Sequence, residues 1–272
     1  MSKIFAFDLD GTLFMQANDM HPNTQIALRN AQKLGHHNLI STGRSLPNIL
    51  VSLGENVNMF SYIVASNGSV LYNTTTKQIS ILGNVALDAF EILFDATLNH
   101  NYIMRIDTTQ ETTSYLNSSQ PPQWLSKQNV MDINKFKVCD QQEFKRFALQ
   151  NKDQIVQMAL RGPKDEIYRE FLKIQEKLGQ KYEVKYTNEV YVDINAKDIN
   201  KWSGVKYAAN KLNISTSDVY CFGDSGNDIE MLKYAGIGVA MGNATQDAKG
   251  AADIIIGDNK SDAIATFINE TI

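Results

Sequence analysis

The sequence predicts an α/β fold, a doubly wound parallel sheet into which a smaller α+β domain is inserted. Three observations carry this expectation. Short apolar runs without polar alternation recur toward both ends of the 272-residue chain, as strands covered on both faces require. Helical stripes separate those runs, and alternating strands and helices mean parallel pairing. Across the middle third the strands change character and alternate apolar with polar residues, which suits half-exposed antiparallel strands.

The first run, Ile4-Phe5-Ala6-Phe7, leads directly into Asp8-Leu9-Asp10-Gly11-Thr12. In open α/β sheets the carboxyl ends of the strands form the binding crevice, so Asp8 and Asp10 fall on the edge most used for chemistry. Two carboxylates this close repel each other unless a cation or a shared proton relieves them. A hard, oxygen-loving ion such as Mg²⁺ is the natural relief. The same five residues also suit an ordinary acidic turn, since Asp and Gly are common turn residues.

Farther on, the spacing predicts a helix over residues 22–34 stopped by Gly35, then a strand over 37–41 that ends at Ser41-Thr42-Gly43-Arg44. Ser45 is positioned to cap the next helix, which reaches Leu53. A third apolar strand over 62–65 ends at Ser66-Asn67-Gly68. Parallel strands joined by helices point their carboxyl ends the same way, so these three polar ends share one crevice.

Residues 70–82 predict an extended hairpin, and the pattern changes after Gly83. Leu87, Phe90, Leu93, Phe94 and Leu98 form a helical stripe. Residues 102–106 and 113–117 predict strands, 118–122 a loop, and 124–138 is weakly patterned. A helix over 141–149, a strand over 155–160, an amphipathic helix over 165–178 ended by Gly179, and a hairpin about Asn188 complete the middle. The expected division is therefore a core of residues 1–83 and 189–272 with an inserted domain of residues 84–188. The core continues with a helix over 201–212 and a buried strand over 219–222 that ends at Gly223-Asp224-Ser225-Gly226-Asn227-Asp228. A helix over 228–234, strands over 237–241 and 253–256, and a terminal helix from Ser261 follow.

Composition narrows the function classes. A formal charge of −4 offers no basic footprint for nucleic acid, and Cys139 and Cys221 are too few for a disulfide framework. His21, His36, His37 and His100 lack metal-ligand spacing. The chain enters its first strand without a signal-like region, and no apolar stretch is long enough to span a bilayer. These features lead us to expect a cytoplasmic protein with no membrane partner, a monomer or weak homo-oligomer.

Phosphoryl transfer through an aspartyl phosphate fits the clusters. Asp8 would attack phosphorus, and a covalent intermediate divides hydrolysis into two easier steps. Mg²⁺ needs few protein ligands, so Asp8, the backbone carbonyl of Asp10 and Asp224 would suffice. Asp10 is then free to protonate the leaving alcohol and to deprotonate water. Thr42 and the Gly43 amide suit a transferring phosphoryl group, and Thr42 equally suits a simple helix cap. Lys201 could hold phosphate beside Asp8, although lone lysines are usually solvated surface residues. Asn227 and Asp228 could orient Asp224 and Lys201 or touch phosphate; an acidic first helical turn is their plainer reading. Arg44 suits pairing with a carboxylate without a catalytic role.

Taken together, these four clusters resemble the haloacid dehalogenase (HAD) superfamily of phosphohydrolases, in its Cof-like branch with a type IIB cap. The resemblance rests on Asp8-Leu9-Asp10-Gly11-Thr12, Ser41-Thr42-Gly43-Arg44, Lys201 and Gly223-Asp224-Ser225-Gly226-Asn227-Asp228, in this order. It implies a Rossmann-like core, Mg²⁺ and a mobile cap that closes over a small phosphorylated substrate. By residue, it implies nucleophile and metal ligand for Asp8 and acid/base and metal ligand for Asp10. It further implies phosphate binding for Thr42, Lys201 and Asn227, and metal binding for Asp224. Trp202 departs from the family, which commonly has a small residue after the lysine. The expected function is hydrolysis of sugar phosphates or phosphorylated cofactors. A phosphosugar mutase is the alternative within the superfamily, and a non-catalytic phosphate-responsive module is the alternative outside it.

Overall fold

The run Ile4–Phe7 forms strand β1, with all four residues buried. The computed structural model describes residues 2–16, 18–118, 120–128 and 137–272. After β1 come β2 (Phe14–Gln16), β3 (Asp19–Met20), α1 (Pro22–Lys33), β4 (His37–Ser41), α2 (Leu46–Leu53), β5 (Tyr62–Ala65), β6 (Val70–Asn73) and β7 (Ile79–Ile81). The small β2–β3 hairpin lies in a stretch for which the sequence suggests no element, since strands this short show no period. Ser45 stands at the N-cap of α2 but makes no capping bond; its hydroxyl instead accepts from the Asn48 amide at 2.8 Å.

The chain then builds α3 (Leu87–His100), β8 (Ile103–Asp107), β9 (Thr112–Leu116), β10 (Lys137–Cys139), α4 (Gln141–Gln150), β11 (Gln157–Arg161), α5 (Lys164–Leu178), β12 (Tyr182–Thr187) and β13 (Tyr191–Ala196). Most of the weakly patterned stretch 124–138 lies outside the described residues. Strands β8 to β13 form one sheet in the order β10-β9-β8-β11-β13-β12. All its pairs are antiparallel except β10 with β9. On one face Phe90, Phe94 and Phe144 of the helices pack with Met104, Ile106, Tyr115, Met158 and Leu160. Alternation predicts a solvated opposite face, yet Asp107, Ser114, Gln157, Asp193 and Asn195 are buried there. Hydrogen bonds within the face make that burial tolerable, among them Thr112 to Asp107 at 2.9 Å and Thr187 to Asp193 at 2.8 Å.

Last come α6 (Lys201–Leu212), β14 (Val219–Gly223), α7 (Ile229–Tyr234), β15 (Ile237–Ala240), α8 (Gln246–Ala251), β16 (Ile254–Ile255) and α9 (Ala263–Thr271). They complete a second sheet, ordered β16-β15-β14-β1-β4-β5-β6-β7 and parallel from β16 through β5. Ile4 and Ala6 of β1 pack with Val205, Ala208 and Ala209 of α6, and Trp202 joins the edge of that cluster. On the opposite face Phe7 stacks on Phe222 at 4.6 Å, and Phe222 meets Phe267 of α9 edge-on. Helices thus cover both faces, and the strands between them have no polar alternation.

Two compact units result, Met1–Leu82 with Asn200–Ile272, and Gly83–Ile199. The second crossing falls after β13, later than residue 189, because β13 pairs along its length with β12, from Tyr191↔Thr187 to Ala196↔Tyr182.

Candidate active site

Three neighbouring parallel strands, β14, β1 and β4, deliver the polar clusters to one edge of their sheet. Asp8 continues the β1 ladder by donating its amide to the Phe222 carbonyl at 3.0 Å, so the backbone holds its carboxylate at the strand end. The chain turns at Gly11, whose φ is +85°, a conformation that side-chain-bearing residues avoid. A Cβ there would also lie 2.5 Å from Asp224 Oδ2. Glycine is therefore required twice over. Thr12 closes the contact by donating its hydroxyl to Asp224 Oδ1 at 2.7 Å.

Lys201 opens α6, whose first turn is fixed by a capping box between Asn200 and Ser203. Its ammonium donates to Asp8 Oδ1 at 2.7 Å and to Asp228 Oδ1 at 2.6 Å, with all three side chains buried. This is the reverse of the usual fate of a lysine. Asp228 accepts the amides of Asp224 and Ser225 on its other oxygen, at 3.0 and 2.9 Å, and so shapes the loop that carries Asp224.

Thr42 follows β4 and donates its amide to the Val64 carbonyl at 3.0 Å. Gly43 lies against Asn67, where an added Cβ would stand 3.1 Å from Asn67 Oδ1. That same oxygen accepts from Asn227 Nδ2 at 3.0 Å. Asn67, held at φ 51°, therefore links the Thr42-Gly43 turn to the Asn227 loop. The sequence marks it only as a turn residue, although asparagine's tolerance of the left-handed region was a usable signal.

Asp10 goes elsewhere. Arg44 grips its carboxylate with two hydrogen bonds, Nε to Oδ2 at 2.7 Å and Nη2 to Oδ1 at 2.5 Å. Arg44 is itself held by Asn18 and Ser52 at 2.9 and 2.8 Å. The carboxylates that converge are instead those of Asp8, Asp224 and Asp228, with one oxygen of each within 4.8 Å of the others.

Crowding shows in the electrostatics. Burial pushes the Asp8 carboxyl well up, Lys201 opposes this, and Asp228, Asp224 and Asp10 add to it. Asp224 is pushed up to about 7, by burial first and Asp228 second, against the Thr12 hydrogen bond and Lys201. Burial works to lower Lys201, but Asp228 and Asp8 outweigh it and the net displacement is upward. All-oxygen donors under mutual repulsion fit a hard divalent cation. Asp228 is already committed to Lys201 and two amides, which leaves Asp8 and Asp224 as the carboxylates suited to hold one. A ligand must be ionised to bind, so Mg²⁺ affinity is expected to rise with pH through the Asp224 range. Between about pH 6 and about pH 8 the ionised fraction, and with it the apparent affinity, should grow roughly tenfold. Calorimetric titrations at the two pH values measure this, and equal affinities would count against Asp224 as a ligand.

The description "haloacid dehalogenase-like hydrolase" belongs to a family model that matches residues 5–268. The chain belongs to that family. Among its relatives is the 5-amino-6-(5-phospho-D-ribitylamino)uracil phosphatase YcsE of Bacillus subtilis (strain 168), 28% identical over 99% of this chain and 96% of that protein. Another is the pyridoxal phosphate phosphatase YbhA of Escherichia coli (strain K12), 27% identical over 98% and 97%. Among solved structures, a HAD subclass IIB sugar phosphatase superposes with a TM-score of 0.80 at 23% identity, covering 99% of each chain. This HAD-like hydrolase thus shares its fold with a subclass IIB sugar phosphatase and its family with named phosphatases. No helix among its described residues is long and apolar enough to cross a membrane.

Proposed function

We propose that this chain is a Mg²⁺-dependent phosphatase of small phosphorylated metabolites that works through an aspartyl phosphate on Asp8. The observation that carries the reading is the buried Lys201 ammonium bridging Asp8 and Asp228. It favours the ionised form of the buried Asp8 against the burial that disfavours it, and leaves a cation where a phosphoryl group would arrive.

In the first half-reaction an Asp8 oxygen bonds to phosphorus while the bond to the leaving oxygen breaks. Asp10 gives that oxygen its proton. In the second half, Asp10 takes a proton from water as the water attacks the acyl phosphate. The phosphorus–Asp8 bond breaks, and inorganic phosphate leaves. Each Asp10 oxygen accepts a single bond from Arg44 and keeps a second lone pair for the proton, so Arg44 would act as a positioning residue. Thr42, the Gly43 amide, Lys201 and Asn227 donate to the phosphoryl oxygens. Asp8, the Asp10 carbonyl and Asp224 would hold Mg²⁺, with Asp228 supporting both Asp224 and Lys201. When bound, the ion neutralises charge that develops on the phosphoryl oxygens. The unit Gly83–Ile199 would serve as the substrate-selecting cap.

The names of the two relatives support testing ring-bearing esters beside sugar phosphates. Phosphate release should be measured over sugar phosphates, pyridoxal and flavin phosphates and nucleotides. Release is expected from at least one ester, to vanish on chelation and to return with excess Mg²⁺. No release from any ester, or release indifferent to chelator, would sink the proposal.

A further inference from the structure

The backbone is left-handed at three successive residues, Ser66, Asn67 and Gly68, with φ of 49°, 51° and 105°. Side-chain-bearing residues avoid this conformation, and they keep it where the surrounding structure over-determines them, often at working sites. Here the turn is held from two sides. The Asn67 amide donates to the Thr42 carbonyl at 3.0 Å and the Ser66 amide to the Arg44 carbonyl at 2.9 Å, so backbone bonds alone bracket Gly43. Opposite, Gly68 lies against the carbonyl of Asn200, the N-cap of α6, with no room for a Cβ between them. None of these contacts uses the Asn67 side chain.

That buried side chain reaches Asn227 instead, its Oδ1 accepting from Asn227 Nδ2 at 3.0 Å. The Asn227 oxygen in turn accepts from Ser225 Oγ at 2.9 Å. An amide nitrogen carries two hydrogens, so one remains on Asn227 for a further acceptor. Turned over, the same amide would present its oxygen there. Ser225 does not oppose that reversal, because a hydroxyl donates or accepts and its hydrogen has Asp228 Oδ2 at 3.4 Å as another acceptor. Asn67 does oppose it, since two amide oxygens would then face each other.

We infer that Asn67 is a positioning residue for phosphoryl binding, whose Oδ1 holds the Asn227 amide with its nitrogen toward the phosphoryl oxygens. The inference rests on the phosphatase reading for its effect on turnover. A backbone role alone gives a different outcome, because glycine adopts the left-handed turn at least as readily as asparagine.

The test is a double-mutant cycle in the full-length protein, with Asn67→Gly, Asn227→Ala and the two combined. Glycine keeps the turn and both bracketing bonds but removes the acceptor. With the ester that the wild type hydrolyses best, Asn67→Gly is expected to lower kcat/KM roughly tenfold or more, the order of one hydrogen bond to a charged group. In the Asn227→Ala background the same substitution should change it less than about twofold, because the group it orients is gone. Full activity in Asn67→Gly, or an equal loss in both backgrounds, overturns the inference. Asn67→Asp supplies the rescue. Its carboxylate still accepts from Asn227, so Asn227→Ala should cost as large a factor there as in the wild type, whatever the added charge does to the rate. A negligible cost in that background also overturns the inference. Should Asn67→Gly fail to fold, Asn67→Ser replaces it, since Ser66 already occupies this backbone and a serine hydroxyl is one bond shorter than the asparagine oxygen. If the wild type releases no phosphate from any ester, the phosphatase reading fails, and the same cycle is measured on the affinity for inorganic phosphate with Mg²⁺ by calorimetry. Non-additive losses there uphold the role of Asn67. Additive losses, or a wild type that does not bind phosphate, overturn it.

Discussion

Asp8→Asn is expected to lower phosphate release roughly 10⁴-fold or more, as loss of a covalent nucleophile does in other hydrolases. The amide matches the carboxylate in size and can still accept from Lys201, but it cannot attack phosphorus. Stability should move the other way. Asp8 is crowded by Asp224 and Asp228, and removing its charge relieves that repulsion. The metal-free variant is therefore expected to unfold at a denaturant concentration equal to or above that of the wild type. Initial rates and an unfolding curve on one preparation measure both effects. Full activity in a sequence-verified preparation of this variant would remove Asp8 from the mechanism, whatever the stability result.

Lys201→Met should fail in both respects. The methionine fills similar space, but Asp8 and Asp228 lose the ammonium that donates to both. Removing one partner of a buried ion pair typically costs about 3–5 kcal/mol, because the remaining charge is buried without compensation. Activity should fall together with stability, since the phosphoryl donor is also gone. A denaturant midpoint within error of the wild type would contradict the bridging role. The two substitutions together separate chemistry from architecture, because Asp8→Asn removes only the first.

Much of the parallel sheet was legible because each strand buried on both faces leaves an unbroken apolar run, as in Ile4–Phe7 and Val219–Gly223. The polar ends of those strands were legible for the same reason, since strand direction alone brings them to one edge. Lys201 was not legible from its own surroundings, because nothing adjacent in sequence distinguishes a buried lysine from a solvated one. Its partners lie 193 and 27 residues away. Asn67 was hidden because its role depends on a left-handed backbone and on Asn227, 160 residues distant. The six-stranded sheet misled differently. Alternation predicts which side chains share a face but not whether water reaches it, and Asp107, Gln157 and Asp193 make a buried polar layer there.

The contact between Gly11 and Asp224 also bears on how the chain is made. Residues 11 and 224 meet only after everything between them has been synthesised, and the same holds for Asp8 and Lys201. A ribosome-bound chain ending before Lys201 already contains β1, β4 and β5 but lacks the ammonium that compensates Asp8. Because long-range pairings form late, the N-terminal strands would have to wait beside a complete inserted unit before their buried carboxylate finds its counter-charge. Catalytic competence should accordingly be among the last properties to emerge on refolding, after the helix-covered half of the Gly83–Ile199 sheet has formed.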